Sequence, residues 1–599
     1  FRRDGGEVTD EVDEARMNYS CQAGAGQTLE NMSAILGLDV AGSLQESALE
    51  AERVPVIDAT CGVFMELEEQ RLIAENHSAS EIAAAIVRAT ASSYFNKFVG
   101  GTRLVGRRCS CQGGPALGKA FLAAMADVTG RDIHAYPGRE LMGALGAALF
   151  VRESVLSARR EGRKTASSFR GWDAASGGFS HKETTCPEHF GARSCGKREC
   201  KLKVYTIGGE EIVTGGFCPL GDSEGSGRTR PDYVALFHSL VEKHFQGLPL
   251  ESLGAVERDG RPRVGIRRAT STIGGRAVWS SAFFSSLGFL PVLTPLSNEE
   301  VSRLGLRHSP TDFCVAMKLS AGHTALLAAD DGVDHIFIPS LIRRVRDKTP
   351  SHMFCIYTEA EGFLPEDDLG LPKGKVIRPV MHLGDRKQMA RSLEKELARV
   401  GHRFSGQQIN EALREADARE EAFNGELARL GDAFLENLRR DGEKGYVGIG
   451  RDYVVLDPAA SSDTGRMFAA VRGMPYIPQV FLSHLYDGIP LDDLVDNEYW
   501  EHSSEILKAS IFTAMHERPF PVRQMNFACG PDSIKFIMED EIFRRAGKPF
   551  LHLLTDAQTN NAPFVTRAEA FERVAARWEP RKAPLERFSF ARPSPSGVE

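Results

Sequence analysis

The residues with the clearest capacity for chemistry are the eleven cysteines of the 599-residue chain. Two of them, Cys21 and Cys61, each stand at the edge of a turn of small residues, 40 positions apart. Such a turn lets the backbone approach a ligand closely and can present a thiolate to a metal. Free cysteine is also among the most buried residue types. The spacing therefore leaves two interpretations open for this pair, a metal site and ordinary core packing.

A second group of cysteines lies in a segment rich in Ser, Gly, Lys and Arg. It consists of Cys186, Cys195, Cys200 and Cys218, with His189 as a substitute ligand. Small four-cysteine sites fold around zinc or iron–sulfur because they contain too little core otherwise. No C-x2-C pair is present, so a set of ordinary cysteines is the alternative. Zinc and iron both accept four thiolates, and the sequence does not separate them.

A third group comprises Cys314, Cys355 and Cys529, which come from three separate segments. Three converging thiolates can hold a cluster and leave one coordination position open, as a reactive centre requires. Cys529 is followed by Gly-Pro-Asp, where Gly and Pro fix a turn, and we expect Asp532 with Ser533 to cap the next helix. The remaining two, Cys109 and Cys111, alternate along a predicted strand and are interpreted as core packing.

The elements that must position these cysteines alternate between strands and helices. In the first part, Ser80 is predicted to cap an amphipathic helix. A further helix is predicted from Arg139 to about Arg159, with Gly143 and Gly146 as close-packing positions.

In the last part, strands are predicted at Val264–Ile266, Phe289–Leu293 and Val333–Pro339, with helices between them. This pattern predicts βαβ units and a parallel sheet. Residues 385–440 are predicted to form two helices that connect subdomains as a solvated spacer.

Composition excludes several classes of protein. The chain is 42% hydrophobic and 26% charged, with a net charge of −8. It is therefore predicted to be soluble and globular, with about three or four domains. It contains no run of about 18 apolar residues and no basic excess, so neither a membrane nor nucleic acid is expected as a partner. The sparse cysteines favour a reducing compartment, and we expect a cytoplasmic location.

Four motifs carry a family resemblance. In chain order they are Cys21-Gln-Ala-Gly-Ala-Gly26, Cys61-Gly-Val-Phe64, Gln112-Gly-Gly-Pro115 and Gly143-Ala-Leu-Gly-Ala-Ala148. Residues 15–155 thereby resemble the ATP-dependent activators of 2-hydroxyacyl-CoA dehydratases and benzoyl-CoA reductases. The resemblance implies the C-terminal half of the ATPase fold shared by actin, hexokinase and heat-shock chaperones.

The resemblance also implies a site for an iron–sulfur cluster and a contact with adenosine. Cys21 and Cys61 would jointly hold one [4Fe-4S] cluster across a homodimer interface, and Gly113 and Gly114 would lie beside adenosine. The phosphate-binding half of this fold has no counterpart before residue 15. The chain is therefore interpreted as a fragment, and ATP with Mg is expected to bind only when the missing half is present.

The region from about 263 to 578 resembles the domain that follows the activator module in long CoA-substrate-specific activases. The matching motifs are Lys318, Gly322-His323, Ile338-Pro339, Gly450-Arg451, Asp457-Pro458, Tyr499-Trp500, Cys529-Gly-Pro-Asp-Ser533, Gly547-Lys548-Pro549 and Thr566-Arg567. That domain looks like a relative of the dehydratase and reductase subunits. By analogy Cys314, Cys355 and Cys529 are the candidate cluster ligands.

Together these features predict an α/β chain with four parts. They are an activator ATPase half (1–159), a cysteine-rich linker (160–260), a dehydratase-like domain of Rossmann-like parallel-sheet subdomains (261–578, divided near 350 and 440) and a disordered tail (579–599).

The predicted function is ATP-coupled, low-potential electron transfer by an iron–sulfur protein. The expected partners are a ferredoxin or flavodoxin donor and a dehydratase or reductase subunit, while the substrate stays unassigned. Two alternatives remain: a non-catalytic zinc-binding scaffold and a kinase-like ATPase fragment.

Overall fold

The structure is a computed structural model. It describes residues 3–4, 7–8, 25–59, 62–95, 108–163, 165, 171, 179–185, 201–207, 210–214, 230–309, 313–345, 352–365, 369–491, 498–527, 529–555 and 562–580. The chain divides into two compact units, Phe1–Gly171 and Trp172–Glu599. Each unit is described by itself below.

The first unit is built mainly of helices. Its elements are β1 (Arg3–Asp4), β2 (Glu7–Val8), α1 (Ala25–Ile35), α2 (Ser43–Leu49), α3 (Gly62–Ala74), α4 (Ala79–Tyr94), β3 (Arg108–Ser110), α5 (Lys119–Thr129), β4 (Asp132–His134) and α6 (Met142–Arg160). Strands β3 and β4 are parallel. The buried face of α4, including Ile82 and Ile86, is central to the core of this unit.

The predicted cap of α4 is wrong by two residues. Ser78, not Ser80, precedes the helix and forms a capping box with Glu81. The Ser78 hydroxyl accepts a hydrogen bond from the Glu81 amide at 3.2 Å, and the Glu81 carboxylate accepts one from the Ser78 amide at 3.3 Å. The reciprocal pair satisfies two backbone donors that a cap at Ser80 would leave open.

Helix α6 confirms the helix predicted from Arg139 to about Arg159. Within the described residues, nothing lies within 4 Å of a Cβ placed on Gly143 or Gly146, so their predicted close packing is not found. The segment Arg139–Arg160 is long and apolar enough to cross a membrane by length and composition. A single helix of this kind is weak evidence for a membrane span, because core helices and signal sequences meet the same criterion.

The second unit contains the remaining elements. The strands are β5 (Phe179–Thr185), β6 (Lys201–Ile207), β7 (Glu210–Thr214), β8 (Leu248–Pro249), β9 (Arg263–Ile266), β10 (Leu290–Leu293), β11 (His335–Phe337), β12 (Ser340–Arg344), β13 (Val376–Ile377), β14 (Val380–Leu383), β15 (Gly445–Ile449), β16 (Tyr476–Pro478), β17 (Pro519–Asn526) and β18 (Leu551–Thr555). The helices are α7 (Tyr233–His244), α8 (Gly275–Ser286), α9 (Glu299–Arg307), α10 (Val315–Ala328), α11 (Ile356–Ala360), α12 (Arg386–Arg399), α13 (Gly406–Arg440), α14 (Asp452–Val455), α15 (Thr464–Arg466), α16 (Ser483–Tyr486), α17 (Glu501–Met515), α18 (Gly530–Ala546) and α19 (Ala562–Arg577).

Two parallel sheets organise the second unit. One has the strand order β13-β11-β9-β10-β8 and the other β16-β15-β17-β18. Every pairing in both sheets is parallel. The prediction of parallel βαβ units is therefore confirmed. Strands β9, β10, β15 and β17 are buried along their whole length, as is typical of parallel sheets with both faces covered.

Helices α12 and α13 confirm the two helices predicted for residues 385–440, but the solvated spacer is wrong. Ile409 and Leu413 of α13 belong to one hydrophobic core. Phe423, Leu427 and Phe434 of the same helix belong to another. The 35-residue helix therefore connects two cores by a buried stripe.

The α/β architecture begins before residue 261. Helix α7 lies inside the predicted linker, yet Phe237 is only 1% exposed and packs edge-to-face on Phe423 at 5.6 Å. Upstream of it, β5, β6 and β7 form an antiparallel sheet. Residues 581–599, in the predicted disordered tail, lie outside the described part of the chain.

Candidate functional site

The candidate site lies at the carboxyl ends of strands in the second unit, where ligands bind in open α/β sheets. Strand β15 leads into Gly450-Arg451, and β17 leads towards Cys529. A Cβ placed on Gly450 would lie 2.3 Å from the Gln524 carbonyl oxygen, so only glycine allows the two strand ends to approach this closely. The sheet thus brings Arg451 next to the segment that carries Cys529.

Each of the three predicted cysteines is the residue that begins a helix. Cys314 occupies the N-cap position of α10, Cys355 that of α11 and Cys529 that of α18, and none of the three side chains makes a capping hydrogen bond. All three have extended backbone angles and side chains of intermediate exposure. Helix N-termini carry partial positive charge and unpaired amides, so this position favours a negatively charged sulfur.

Two of the thiols, Cys314 and Cys529, are protonated as they stand. Burial raises the pKa of Cys314 to about 11, while the Met317 amide lowers it. Burial likewise raises the pKa of Cys529 to about 12, against lowering effects of Arg451 and the Asp532 amide. In both cases the amide belongs to the third residue of the helix, which is the usual donor to a cap. Desolvation dominates because a thiolate loses its water without gaining a full counter-charge.

Arg451 is the charged residue at the centre of the group and is only 2% exposed. Its Nε donates to Asp532 Oδ1 at 2.9 Å, and its Nη1 donates to the Tyr453 hydroxyl at 3.0 Å. Burial disfavours the cation, but Asp532, Tyr453, Cys529 and Cys355 hold the pKa of Arg451 above its ordinary range. Its Nη2 is buried and has no hydrogen-bond partner among the described residues.

Asp532 is therefore a partner of Arg451, and the prediction that it caps the helix is wrong. Cys529 occupies the N-cap position, and Asp532 lies in the first turn of α18. The sequence signal for this role is the Gly-Arg dipeptide after a buried strand, combined with an Asp in the first turn of the helix that Cys529 begins. The pairing itself joins residues 81 positions apart, so no local pattern specifies it.

Tyr453 connects the three thiols electrostatically. Burial raises the pKa of Tyr453, Arg451 lowers it, and Cys355, Cys529 and Cys314 raise it further. All three thiols therefore lie within electrostatic range of the buried Tyr453 hydroxyl. Among the side chains that the structure describes, no three of the His, Cys, Asp and Glu type are arranged closely enough to hold a metal ion. We call this group of Cys314, Cys355, Cys529, Arg451 and Tyr453 the thiol centre.

The predicted sites of the first unit are described only in part. Cys21 and Cys61 lie outside the described residues, as do Cys186, His189, Cys195, Cys200 and Cys218 of the second unit. Helices α1 and α3 begin close to each other: a Cβ on Gly62 would lie 3.2 Å from Thr28 Oγ1. A Cβ on Gly26 would lie 3.8 Å from Pro115 Cγ, which places the start of α1 beside the Gly113-Gly114 turn.

Gly113 and Gly114 form the turn predicted to lie beside adenosine. Gly113 has φ of +96°, a conformation that favours glycine. A side chain on Gly114 would meet nothing within 4 Å among the described residues. Nearby, Cys111 packs against the core of the first unit, in keeping with its interpretation as a core cysteine. Cys109 lies within β3.

A second buried polar cluster escaped the sequence analysis. Ser297 Oγ lies 2.9 Å from His323 Nε2 and donates to Asp457 Oδ2 at 2.5 Å. Burial, with Arg267 and Arg268, lowers the pKa of His323 to about 3, so the imidazole is neutral. His323 and Asp457 stand in motifs of the resemblance, but nothing in the sequence links them to Ser297.

The fold and site thus define an α/β protein with a thiol centre at the carboxyl ends of parallel strands. Residues 263–481 match the family model of the CoA enzyme activase uncharacterised domain (DUF2229). Residues 6–151 match that of the BadF/BadG/BcrA/BcrD ATPase family. Both matches lie within or largely within the segments that carry the resemblance, and they confirm it.

Curated relatives match the first of these segments. The 2-hydroxyisocaproyl-CoA dehydratase activator of Clostridioides difficile is 31% identical over 24% of this chain and 53% of its own length. The (R)-2-hydroxyglutaryl-CoA dehydratase activating ATPase of Acidaminococcus fermentans is 32% identical over 23% of this chain and 51% of its own length. The chain spans about half the length of these relatives.

A solved structure covers a similar extent. The C. difficile activator with bound ADPNP is 28% identical over 24% of this chain and 52% of its own, with a TM-score of 0.20. A score this low supports no statement about how the present chain is arranged.

Proposed function

We propose that Cys314, Cys355 and Cys529 hold an iron–sulfur cluster, and that the chain acts in ATP-coupled, low-potential electron transfer to a CoA-thioester dehydratase or reductase reaction. The observation that carries this proposal is the convergence of three thiols at helix N-cap positions on one buried arginine. A thiolate-ligated cluster supplies one-electron transfer at a potential set by charge, hydrogen bonds and solvent access.

The residues of the thiol centre fit an anionic group. The unpartnered, buried Nη2 of Arg451 is a donor without an acceptor, which is costly unless a further acceptor binds there. The N-termini of α10 and α18 add partial positive charge around the same region. Arg451 and the helix amides would therefore stabilise negative charge on sulfur, and Tyr453 would exclude water from one side.

The first unit would supply the coupling to ATP. We propose that the Gly113-Gly114 turn contacts the nucleotide, with Mg and the rest of the ATPase fold supplied by the half that the relatives have in addition. Cys21 and Cys61 would hold a second [4Fe-4S] cluster in a homodimer. The names of the relatives favour a dehydratase subunit as partner, and a ferredoxin or flavodoxin as electron donor follows from the resemblance.

The first test is iron, zinc and acid-labile sulfide content of anaerobically purified full-length chain. We expect iron and sulfide in the unsubstituted protein, and a loss of about four irons per chain in Cys529→Ala. Cys111→Ala is the matched control, because Cys111 is a half-buried cysteine of the first unit and should retain all the iron.

Two results would contradict the proposal. Equal iron content in Cys529→Ala and the unsubstituted protein would exclude Cys529 as a ligand. Zinc without iron, unchanged by Cys529→Ala, would favour the zinc-binding scaffold through Cys186, Cys195, Cys200 and Cys218.

A further inference from the structure

A cavity of about 230 Å³ lies beside α13 in the second unit, apart from the thiols. Its apolar surface is formed by the side chains of Trp279, Phe337, Leu341, Met381 and Leu413. Charged side chains also line it, Arg276 and Glu420 among them. A pocket of apolar side chains with a few polar groups is typical of a small-molecule site.

Arg276 is the arginine of the cavity whose guanidinium forms no close ion pair, although Glu420, Asp452 and Glu505 interact with its charge from further away. No hydrogen bond or close ion pair of its guanidinium is found among the described residues, and its Nε is buried without a partner. The other arginines of the cavity are engaged. Arg344 Nε lies 2.6 Å from Glu501 Oε1, and Arg386 Nη1 lies 2.5 Å from Asp417 Oδ2.

Glu420 stands beside Arg276 but is not paired with it. Its Oε1 lies 3.1 Å from the position that a Cβ on Gly275 would occupy. Burial raises the pKa of Glu420, while Arg276 and Arg344 lower it. Burial thus works against the charged form of Glu420. The planar guanidinium of Arg276 can donate two parallel hydrogen bonds to the two oxygens of a carboxylate.

We propose that this cavity binds a small organic carboxylate, with the carboxylate on Arg276 and the apolar body against Trp279 and Leu413. The size supports the assignment, because an apolar cavity of about 150 Å³ holds benzene. A cavity of 230 Å³ accommodates a ring or short alkyl chain together with a carboxylate.

The cavity is separate from the thiol centre but close to it. The Arg276 guanidinium lies 5.8 Å from the centre of the Phe354 ring, next in sequence to Cys355. Phe354 packs edge-to-face on His502 at 5.5 Å, and His502 packs on Tyr453 at 5.5 Å. An aromatic wall therefore divides the two sites. Carboxylate binding needs no metal, so it can be tested independently of the proposed electron transfer.

The test is a calorimetric titration of the full-length chain with sodium hexanoate, with hexanamide as the neutral isostere. We expect saturable binding of hexanoate and about tenfold or weaker binding of hexanamide, because the amide lacks the charge that Arg276 recognises. Arg276→Gln should weaken hexanoate binding by about the same factor. Arg414→Gln, which removes an exposed arginine of the same helix as Glu420, should leave it unchanged.

A second variant tests the location without altering charge. Leu413 lines the cavity, so the larger side chain of Leu413→Phe should occupy part of its volume and abolish binding of hexanoate. Circular dichroism confirms that this variant is folded. Absence of hexanoate binding, equal affinity for hexanoate and hexanamide, or unchanged affinity in Leu413→Phe would each overturn the proposal.

Discussion

Two arginine–carboxylate pairs of the second unit have similar geometry and different surroundings. Arg451 and Asp532 approach to 2.9 Å with side chains 2% and 1% exposed. Arg386 and Asp417, at the cavity, approach to 2.5 Å with side chains 44% and 49% exposed. Burial, more than contact distance, therefore determines how strongly the two charges of a pair interact. The buried pair can organise a charged centre, while the exposed pair is screened by water.

The largest expected effect is on the buried pair. Asp532→Asn should lower the free energy of unfolding of the second unit by about 3–5 kcal/mol, because it leaves a buried guanidinium without a counter-charge. Asp417→Asn is the matched control and should cost less than about 1 kcal/mol. Urea unfolding of the two variants measures the difference. An equal loss of unfolding free energy in the two variants would contradict the conclusion that burial distinguishes the two pairs.

Burial should also suppress the reactivity of the thiol centre. In metal-free protein, the pKa of about 11 for Cys314 lies two units above the ordinary value of 9.0. The thiolate fraction near neutral pH is therefore roughly 100-fold below that of an unperturbed cysteine, and alkylation should be slower by about that factor. Iodoacetamide labelling followed by peptide mass mapping, with and without urea, measures the ratio. Rapid labelling of folded Cys314 at neutral pH would count against this account.

Acid should destabilise the second unit through its buried histidines. His323 has a pKa of about 3, lowered from 6.5 by burial and by Arg267 and Arg268. The folded state stays neutral where the unfolded chain takes up a proton, so this stability is complete above pH 6.5 and is lost as the pH falls towards 3. The free energy of unfolding should fall by roughly 1.4 kcal/mol per pH unit for this histidine.

Unfolding midpoints between pH 7 and 5 check the slope. His323→Gln should reduce it, whereas His181→Gln should not, because His181 is exposed. An unchanged slope in His323→Gln would assign the acid sensitivity to other groups.

The first unit offers a smaller test of the same principle. Glu69 is fully buried, both of its carboxyl oxygens lack a hydrogen-bond partner among the described residues, and burial followed by Glu66 raises its pKa to about 8. The folded state keeps the proton that the unfolded chain loses above about 4.5, so the stability due to this group falls as the pH rises towards 8.

Glu69→Gln should therefore raise the free energy of unfolding by about 1 kcal/mol at pH 8 and by less at pH 5. Glu68→Gln, on the same helix and paired with Arg71 near the surface, is the control and should not stabilise the chain. Thermal unfolding at the two pH values distinguishes them.

Much of the architecture was accessible from the sequence. Parallel βαβ units follow from short apolar runs that alternate with helical segments, and β9, β10 and β11 lie where those runs predicted them. The position of Cys529 at the start of a helix follows from Gly and Pro directly after it. These features are local, so neighbouring residue types suffice to specify them.

The errors concern contacts at long range. The prediction that Asp532 caps a helix is wrong because the Asp532 carboxylate accepts a hydrogen bond from Arg451. The prediction of a solvated spacer at 385–440 is wrong because the apolar stripe of α13 packs into two separate hydrophobic cores. Neither partner can be found by periodicity or by propensity.

Local residue types are enough to specify the secondary-structure elements, the family resemblance and the three cysteines with the turns that present them. Which charged groups meet depends on packing between distant segments. That packing pairs Arg451 with Asp532, leaves Nη2 of Arg451 without a partner among the described residues, and places Arg276 and Glu420 in the lining of one cavity. The chemistry of these groups cannot be obtained from local sequence, because the pKa of a thiol or a carboxyl group depends on desolvation and nearby charge. Both are fixed only when remote segments pack together.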